Sequence, residues 1–418
     1  MKQKNRWLIA LSAVFIHLSI GSIYAYSVFQ TPLYEELGWG GATVTIAFTL
    51  AIFFLGISAA FFGRFVEKRG PRVSAFLAAV LFGAGLIGAG FSIGIGSLYG
   101  FYFTYGILGG IGLGIGYISP VSTLVKWFPD RRGLATGMAV FGFGAGSLIA
   151  SPVAARLIEG MGVANTLYLL GAVYFVLMSL GAWYIARPPE DWMPAAAKEK
   201  KDDGEVEKRE DLAQLTANEA IKTKRFWLLW WMMLINISAG IMLIAVASPM
   251  AQELVGMTAM AAATVVGVMG LFNGGGRIIW STLSDYIGRP NIFLIFFGVQ
   301  LVSFMILPMV GNALIFQILM YLIVSIYGGG FATLPAFIGD MFGTKQLGAI
   351  HGYLLTSWAV AGVVGPMIVS FIREATNAYT TTFYVFAFLI ATALGTAFLI
   401  KRDIQGIQKE KLKLANQS

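Results

Sequence analysis

Apolar residues in this chain come in blocks of about twenty or more, and polar residues collect in the gaps between them. A helix of ~20 residues crosses the ~30 Å hydrocarbon core of a bilayer, and backbone groups in lipid must bond within their own segment. The blocks therefore predict helices rather than open strands. They fall at roughly residues 7–30, 42–63, 73–95, 99–124, 134–156, 164–186, 226–251, 258–283, 290–311, 314–340, 348–372 and 380–400. The expected fold class is an all-α integral membrane protein, its twelve transmembrane helices forming two six-helix bundles. The first block is too long for a cleaved leader and has no small-residue cleavage site, so it reads as a retained helix.

Composition supports lipid as the solvent. Hydrophobic residues make up 57% of 418 and charged residues 12%, with a mean hydropathy of +0.75. That leaves too little polar surface to coat soluble domains. All but three of the 29 Lys and Arg residues lie on one side of the helix count; the exceptions are Arg156, Arg373 and Arg277. Basic residues stay on the cytoplasmic side, so a multi-pass protein of the cell membrane with both termini cytoplasmic is expected. The net charge of +8 then reports topology and contact with anionic membrane lipid, and no nucleic-acid partner is implied. Cysteine is absent, which removes disulfides and metal–thiolate sites. Two histidines and few deep acids supply no nucleophile–base pair or metal cluster, so neither an enzyme nor a cofactor is expected. A chain holding all twelve helices is expected to work as a monomer, unlike a channel built by repetition across subunits.

One long polar stretch divides the chain. Residues 187–225 mix both charges with little apolar surface, as a solvated linker does. The expected domains are an N-terminal bundle, 1–186; a cytoplasmic linker, 187–225; a C-terminal bundle, 226–403; and a cytoplasmic tail, 404–418. Within the linker, 212–223 has the pattern of a short amphipathic helix at the membrane surface. The halves echo each other. GRFVEKRGPR at 63–72 has a counterpart in STLSDYIGR at 281–289, and RGLATG at 132–137 in LGAIHG at 347–352. Paired six-helix halves with a site near the midplane are a secondary-transporter pattern. The most unusual residue is Arg277, inside an apolar stretch, 257–283, that contains no acid. A guanidinium does not lose its proton in a protein, and at bilayer depth it costs at least ~3 kcal/mol. Either a visiting anion or a structural partner from another helix answers that charge. Asn273, one turn earlier on the same face, would orient it or line the cavity.

These segments resemble the major facilitator superfamily. WFPDRRGLATG at 127–137, FNGGGR at 272–277, SDYIGR at 284–289 and YGGG at 327–330 bring the resemblance closer, to the oxalate/formate antiporter family and related bacterial monocarboxylate transporters. It covers nearly the whole chain. It implies secondary active transport of a small organic anion by alternating access, with Arg277 as the carboxylate partner. Tyr24, Tyr117 and Tyr327 are implied as cavity-facing hydroxyls, although a tyrosine in a membrane helix also serves as packing; Ser119 and Ser325 are further candidates. Glu67, Arg132, Asp285 and Arg289 are implied as a gating latch at the cytoplasmic mouth.

Helix 11 departs from the oxalate-carrying members. Where they have a lysine, this chain has Trp358. One fixed cation balances one carboxylate, whereas a dianion leaves buried negative charge. The expectation is a monocarboxylate of the lactate, pyruvate or formate type, with Trp358 lining an apolar subsite or simply packing. An oxalate/formate-type dicarboxylate antiporter and a carboxylate sensor on a transporter scaffold are the alternatives. Proton symport and carboxylate exchange both stay open. His17 reads as packing, His351 lies near the end of helix 11, and the position where animal relatives carry an acid is Asn273. Glycine runs in helices 4, 5 and 10 lack the strand and Lys-Ser/Thr of a nucleotide loop and read as close helix packing. Pro120, Pro152 and Pro366 mark expected kinks.

Overall fold

The structure of the protein is a computed structural model that describes residues 4–189, 192 and 211–415. The described residues are helical, with no strand among them. Ten of the helices among the described residues are long and apolar enough to cross a membrane. One of these, Arg132–Tyr184, has 53 residues and breaks at Gly162, where φ is +77°. It is two spans joined end to end, in place of the loop expected near 157–163. The helix Ala259–Ile287, 29 residues long, carries Arg277. With that helix and the break at Gly162, the twelve spans of the expected membrane fold are in place.

Local chemistry sets the ends. Asn5, Thr223, Thr258 and Asn312 each accept a backbone N–H from the first turn of the helix they start, satisfying donors that lipid cannot. The two echoing loops turn in the same way. Gly70 and Gly288 have φ of +86° and +87°, each ending one helix and starting the next, with Pro71 or Pro290 in the following first turn. Only glycine adopts that backbone cheaply, and proline suits a first helical turn.

The helices group into two compact units. The first holds the described residues up to 192 together with Gly348–Ala359; the second holds 211–347 and the residues from Val360 onward. Small residues set the spacing in each. In the first unit a Cβ at Gly112 would lie 2.6 Å from the Phe82 backbone nitrogen, and one at Gly85 would lie 2.8 Å from Gly109. Segment 348–359 joins this unit through the same device. A Cβ at Gly56 would come 2.8 Å from the Leu355 carbonyl oxygen, and one at Gly63 would come 2.6 Å from the Ala349 Cα. Small residues let membrane helices approach to backbone contact.

Most of the expected solvated stretch, 193–210, lies outside the described residues. Beyond it, Leu212 and Leu215 donate their N–H groups to the carbonyls of Asp340 and Phe342 at 2.9 and 2.8 Å. The amphipathic helix expected over 212–223 is therefore a single turn, Ala217–Ala220. Backbone bonds to 340–342 hold the preceding residues extended, and Thr216 and Glu219 close a capping box at the start of that turn. The Thr216 amide and hydroxyl hold the Glu219 carboxyl below its ordinary range. At the other end, the helix from Thr380 continues to Ala415, through most of the stretch expected as a tail; 416–418 lie outside the described residues.

Candidate functional site

In the second unit the site is built where two helices touch through glycines. A Cβ at Gly276 would enter the backbone of Ser325, one at Gly328 would meet the Asn273 carbonyl, and one at Gly329 would lie 2.8 Å from Trp280. These contacts bring Ala259–Ile287 against Ala313–Phe342 at the level of Arg277 and Tyr327. Arg277 is fully buried. Its Nε donates to Asn273 Oδ1 at 3.3 Å, as the one-turn spacing predicts. Its guanidinium carbon lies 5.6 Å from the Phe331 ring centroid, inside cation–π range. Tyr327, also fully buried, meets Phe331 edge to face at 5.3 Å, and the absence of a side chain at Gly240 makes room for the Tyr327 ring. Cation, amide and two rings thus share one neighbourhood. Ser325 is committed elsewhere: its hydroxyl donates to the Leu322 carbonyl at 2.7 Å and accepts the Trp280 indole N–H at 3.1 Å.

The first unit has an aromatic cluster of its own. Tyr117, fully buried, has four rings around it: His17 at 5.4 Å, Phe143 and Trp358 at 5.5 Å, and His351 at 5.8 Å between centroids. Phe143 also meets Trp358 at 5.7 Å and Tyr24 at 5.1 Å. His351 and Trp358 sit two turns apart on one face and come to Tyr117 because 348–359 packs with the first unit. Tyr24 lies in a 3-10 turn, Ser22–Ala25, that follows the first helix. The Ser119 hydroxyl donates to the Pro71 carbonyl at 3.1 Å, so it ties two helices together.

Comparison with known proteins agrees with this architecture. A model of the Major Facilitator Superfamily matches residues 9–366. The chain belongs to the major facilitator superfamily. It is a multi-span membrane protein of a transporter family, and its relatives are transporters, not enzymes. Relatives within that family include the oxalate:formate antiporter of Oxalobacter formigenes, 29% identical over 97% of this chain and 94% of that protein. The human monocarboxylate transporter 12 is 26% identical over 81% of this chain and 70% of its own length. Among solved structures, the outward conformation of FucP superimposes with a TM-score of 0.72 at 14% identity, over 94% of this chain and 98% of that one. The human organic anion transporter MFSD10 gives 0.72 at 12% identity, over 94% and 100%. At such identity these two structures speak for the fold alone.

The residues expected to gate this superfamily member form pairs inside each unit. Glu67 accepts the Lys126 ammonium at 2.7 Å and the Gly348 amide N–H at 2.8 Å. Arg289 bonds Asp285 at 2.6 Å and lies 3.3 Å from Asp340; it also donates to the Ser284 carbonyl at 2.5 Å. Arg132 begins the long helix Arg132–Tyr184. Three neighbouring residues were not among the expected site residues. Phe331 carried a usable signal, one turn from Tyr327 on the same face. Phe143 carried none. His351 lay in the LGAIHG repeat, yet its place beside Tyr117 depends on packing between segments far apart in the chain.

Proposed function

We propose that this protein is a secondary transporter of a small monocarboxylate, with the Arg277 guanidinium as the partner of the substrate carboxylate. One observation carries the proposal: a permanent cation fully buried in a membrane-spanning helix, held by Asn273 and faced by the Phe331 ring. A planar guanidinium makes two parallel bonds to a carboxylate, and such pairs are strong where water is scarce. Tyr327, beside Phe331, belongs to the same proposal as a hydroxyl donor. So do Tyr24, Tyr117 and Trp358, whose roles rest on the resemblance. Alternating access, cytoplasmic termini and a latch at Glu67, Arg132, Asp285 and Arg289 complete the reading. It is supported by the transporter relatives, one named for oxalate and formate and one for monocarboxylates.

The antiporter relative raises a second reading, exchange of the dianion oxalate for formate. Trp358 weighs against it, because an indole offers no charge to the second carboxylate. Counterflow in proteoliposomes separates the two. Labelled lactate or pyruvate is expected to exchange, with unlabelled monocarboxylates competing and oxalate failing to compete. Strong competition by oxalate, with none from lactate or pyruvate, reverses the assignment.

A further inference from the structure

Both histidines of this chain, His17 and His351, are fully buried, and both lie against the Tyr117 ring. Their nitrogens are spent differently. His17 Nδ1 lies 3.2 Å from the Ala13 carbonyl. A carbonyl only accepts, so the His17 proton sits on Nδ1. This is how an imidazole is ordinarily satisfied inside a helical membrane protein. His351 is not satisfied in this way: neither ring nitrogen has a hydrogen-bond partner among the described residues. A buried polar atom left without a partner is costly, so packing alone does not account for His351.

The helix that carries His351 is also interrupted close to it. Its helix, Leu347–Leu354, stops at Leu355, and a second piece begins at Thr356. The Thr356 and Ser357 hydroxyls donate back to the carbonyls of Tyr353 and Leu354, at 2.7 and 2.6 Å. The break one turn past His351 is therefore satisfied locally by these back-bonding hydroxyls. The titratable and charged groups packed around this segment are few. Tyr117 and His17 face His351 from two helices. Glu67, on the helix Gly41–Arg69, is engaged by Lys126 and by the amide of Gly348, one turn before His351, and Arg64 lies over the Tyr353 ring at 5.7 Å.

We infer that His351 takes up the proton that crosses the membrane with the substrate, an inference that rests on the carboxylate-transport reading above. An imidazole in contact with water changes charge between about pH 5 and 8, so the ring takes its proton in the state that opens it to water, and no acid stands at position 273 to do the same. In its neutral form it has one N–H and one lone pair. A proton from water on the loading side binds the lone pair to give an imidazolium with two donors. On the opposite side that N–H bond breaks and the proton returns to water, leaving the ring as it began. One proton moves with one monoanion, so transport is electroneutral. His17, its tautomer held by Ala13, packs against the Tyr117 ring and takes no part in the transfer.

The test uses full-length protein in vesicles with an internal pH-sensitive dye, reading counterflow and accumulation driven by a pH gradient. Wild type is expected to do both and to acidify the lumen as substrate enters. His351→Asn is expected to keep measurable counterflow but to lose gradient-driven accumulation and the dye signal, and His351→Gln to do the same. His17→Asn is expected to keep both. Retained proton flux in both His351 variants overturns the inference and leaves the transport reading intact. So does a wild type that exchanges substrate but ignores the pH gradient. Loss of counterflow in both monodisperse His351 variants also overturns it, assigning the ring to substrate or structure. A wild type that moves no short carboxylate sinks the transport reading itself.

Discussion

Arg277 concentrates the chemistry of this protein into one side chain. Its charge is independent of pH, so whatever satisfies it must do so by contact. The Asn273 amide holds its Nε and the guanidinium lies over the Phe331 ring at 5.6 Å. The expected outcome is that Arg277→Ala abolishes uptake and that Arg277→Lys fails to restore it. Substrate affinity should fall at least ~30-fold, equivalent to ~2 kcal/mol, while the amount of protein in the membrane stays near wild type. Equilibrium binding with labelled lactate or pyruvate checks this, and normal affinity in the lysine variant would remove the bidentate contact from the proposal. Arg277 was legible in the sequence because an arginine inside an apolar run stands out without any partner being known. The rings around Tyr117 were not, since Phe143 differs in no local way from the other phenylalanines.

At the level of helices, the decisive contacts are those in which glycine lets two backbones meet. Gly276 and Gly328 seat Ala259–Ile287 on Ala313–Phe342 from both sides, and the Asn273 that orients Arg277 lies directly against Gly328. A larger residue at 328 must therefore move the amide as well as the helix. Gly328→Val is expected to reduce uptake severely and to destabilise the fold by about 1–3 kcal/mol, as overpacking does. Thermal unfolding in detergent measures the stability loss, and uptake at matched expression measures the activity loss. Wild-type transport in that variant would show that the two helices tolerate separation. The glycine spacing marks packing positions without showing which pairs meet. Spacing along one helix reports a face, and the partner of that face is chosen elsewhere in the chain.

On the scale of the molecule, charge supplies the testable asymmetry. The basic residues gather in the termini and alternate loops, and on the opposite side Arg373 pairs with Glu253 at 2.5 Å. We propose that both termini are cytoplasmic. Because the chain has no cysteine, single cysteines can be introduced without altering the background. One placed at residue 4 is expected to react with an impermeant maleimide only after the membrane is opened. One at Asn377, on the opposite side of the helix count, is expected to react in intact cells. The reverse pattern would invert the topology.

The sequence alone was enough to establish the membrane class, the number of spans, the echo between halves and a deep arginine. These are properties of single segments, since hydropathy over about twenty residues and the cost of a charge in lipid need no knowledge of neighbours. Tertiary structure decided the rest. It joined the two spans around Gly162 without a loop, placed 348–359 with the first unit, and gathered both histidines and Trp358 on one tyrosine. Those outcomes depend on which backbones approach closely enough to touch. That is settled by the packing of small residues on helices distant in the chain, a relation no single segment encodes.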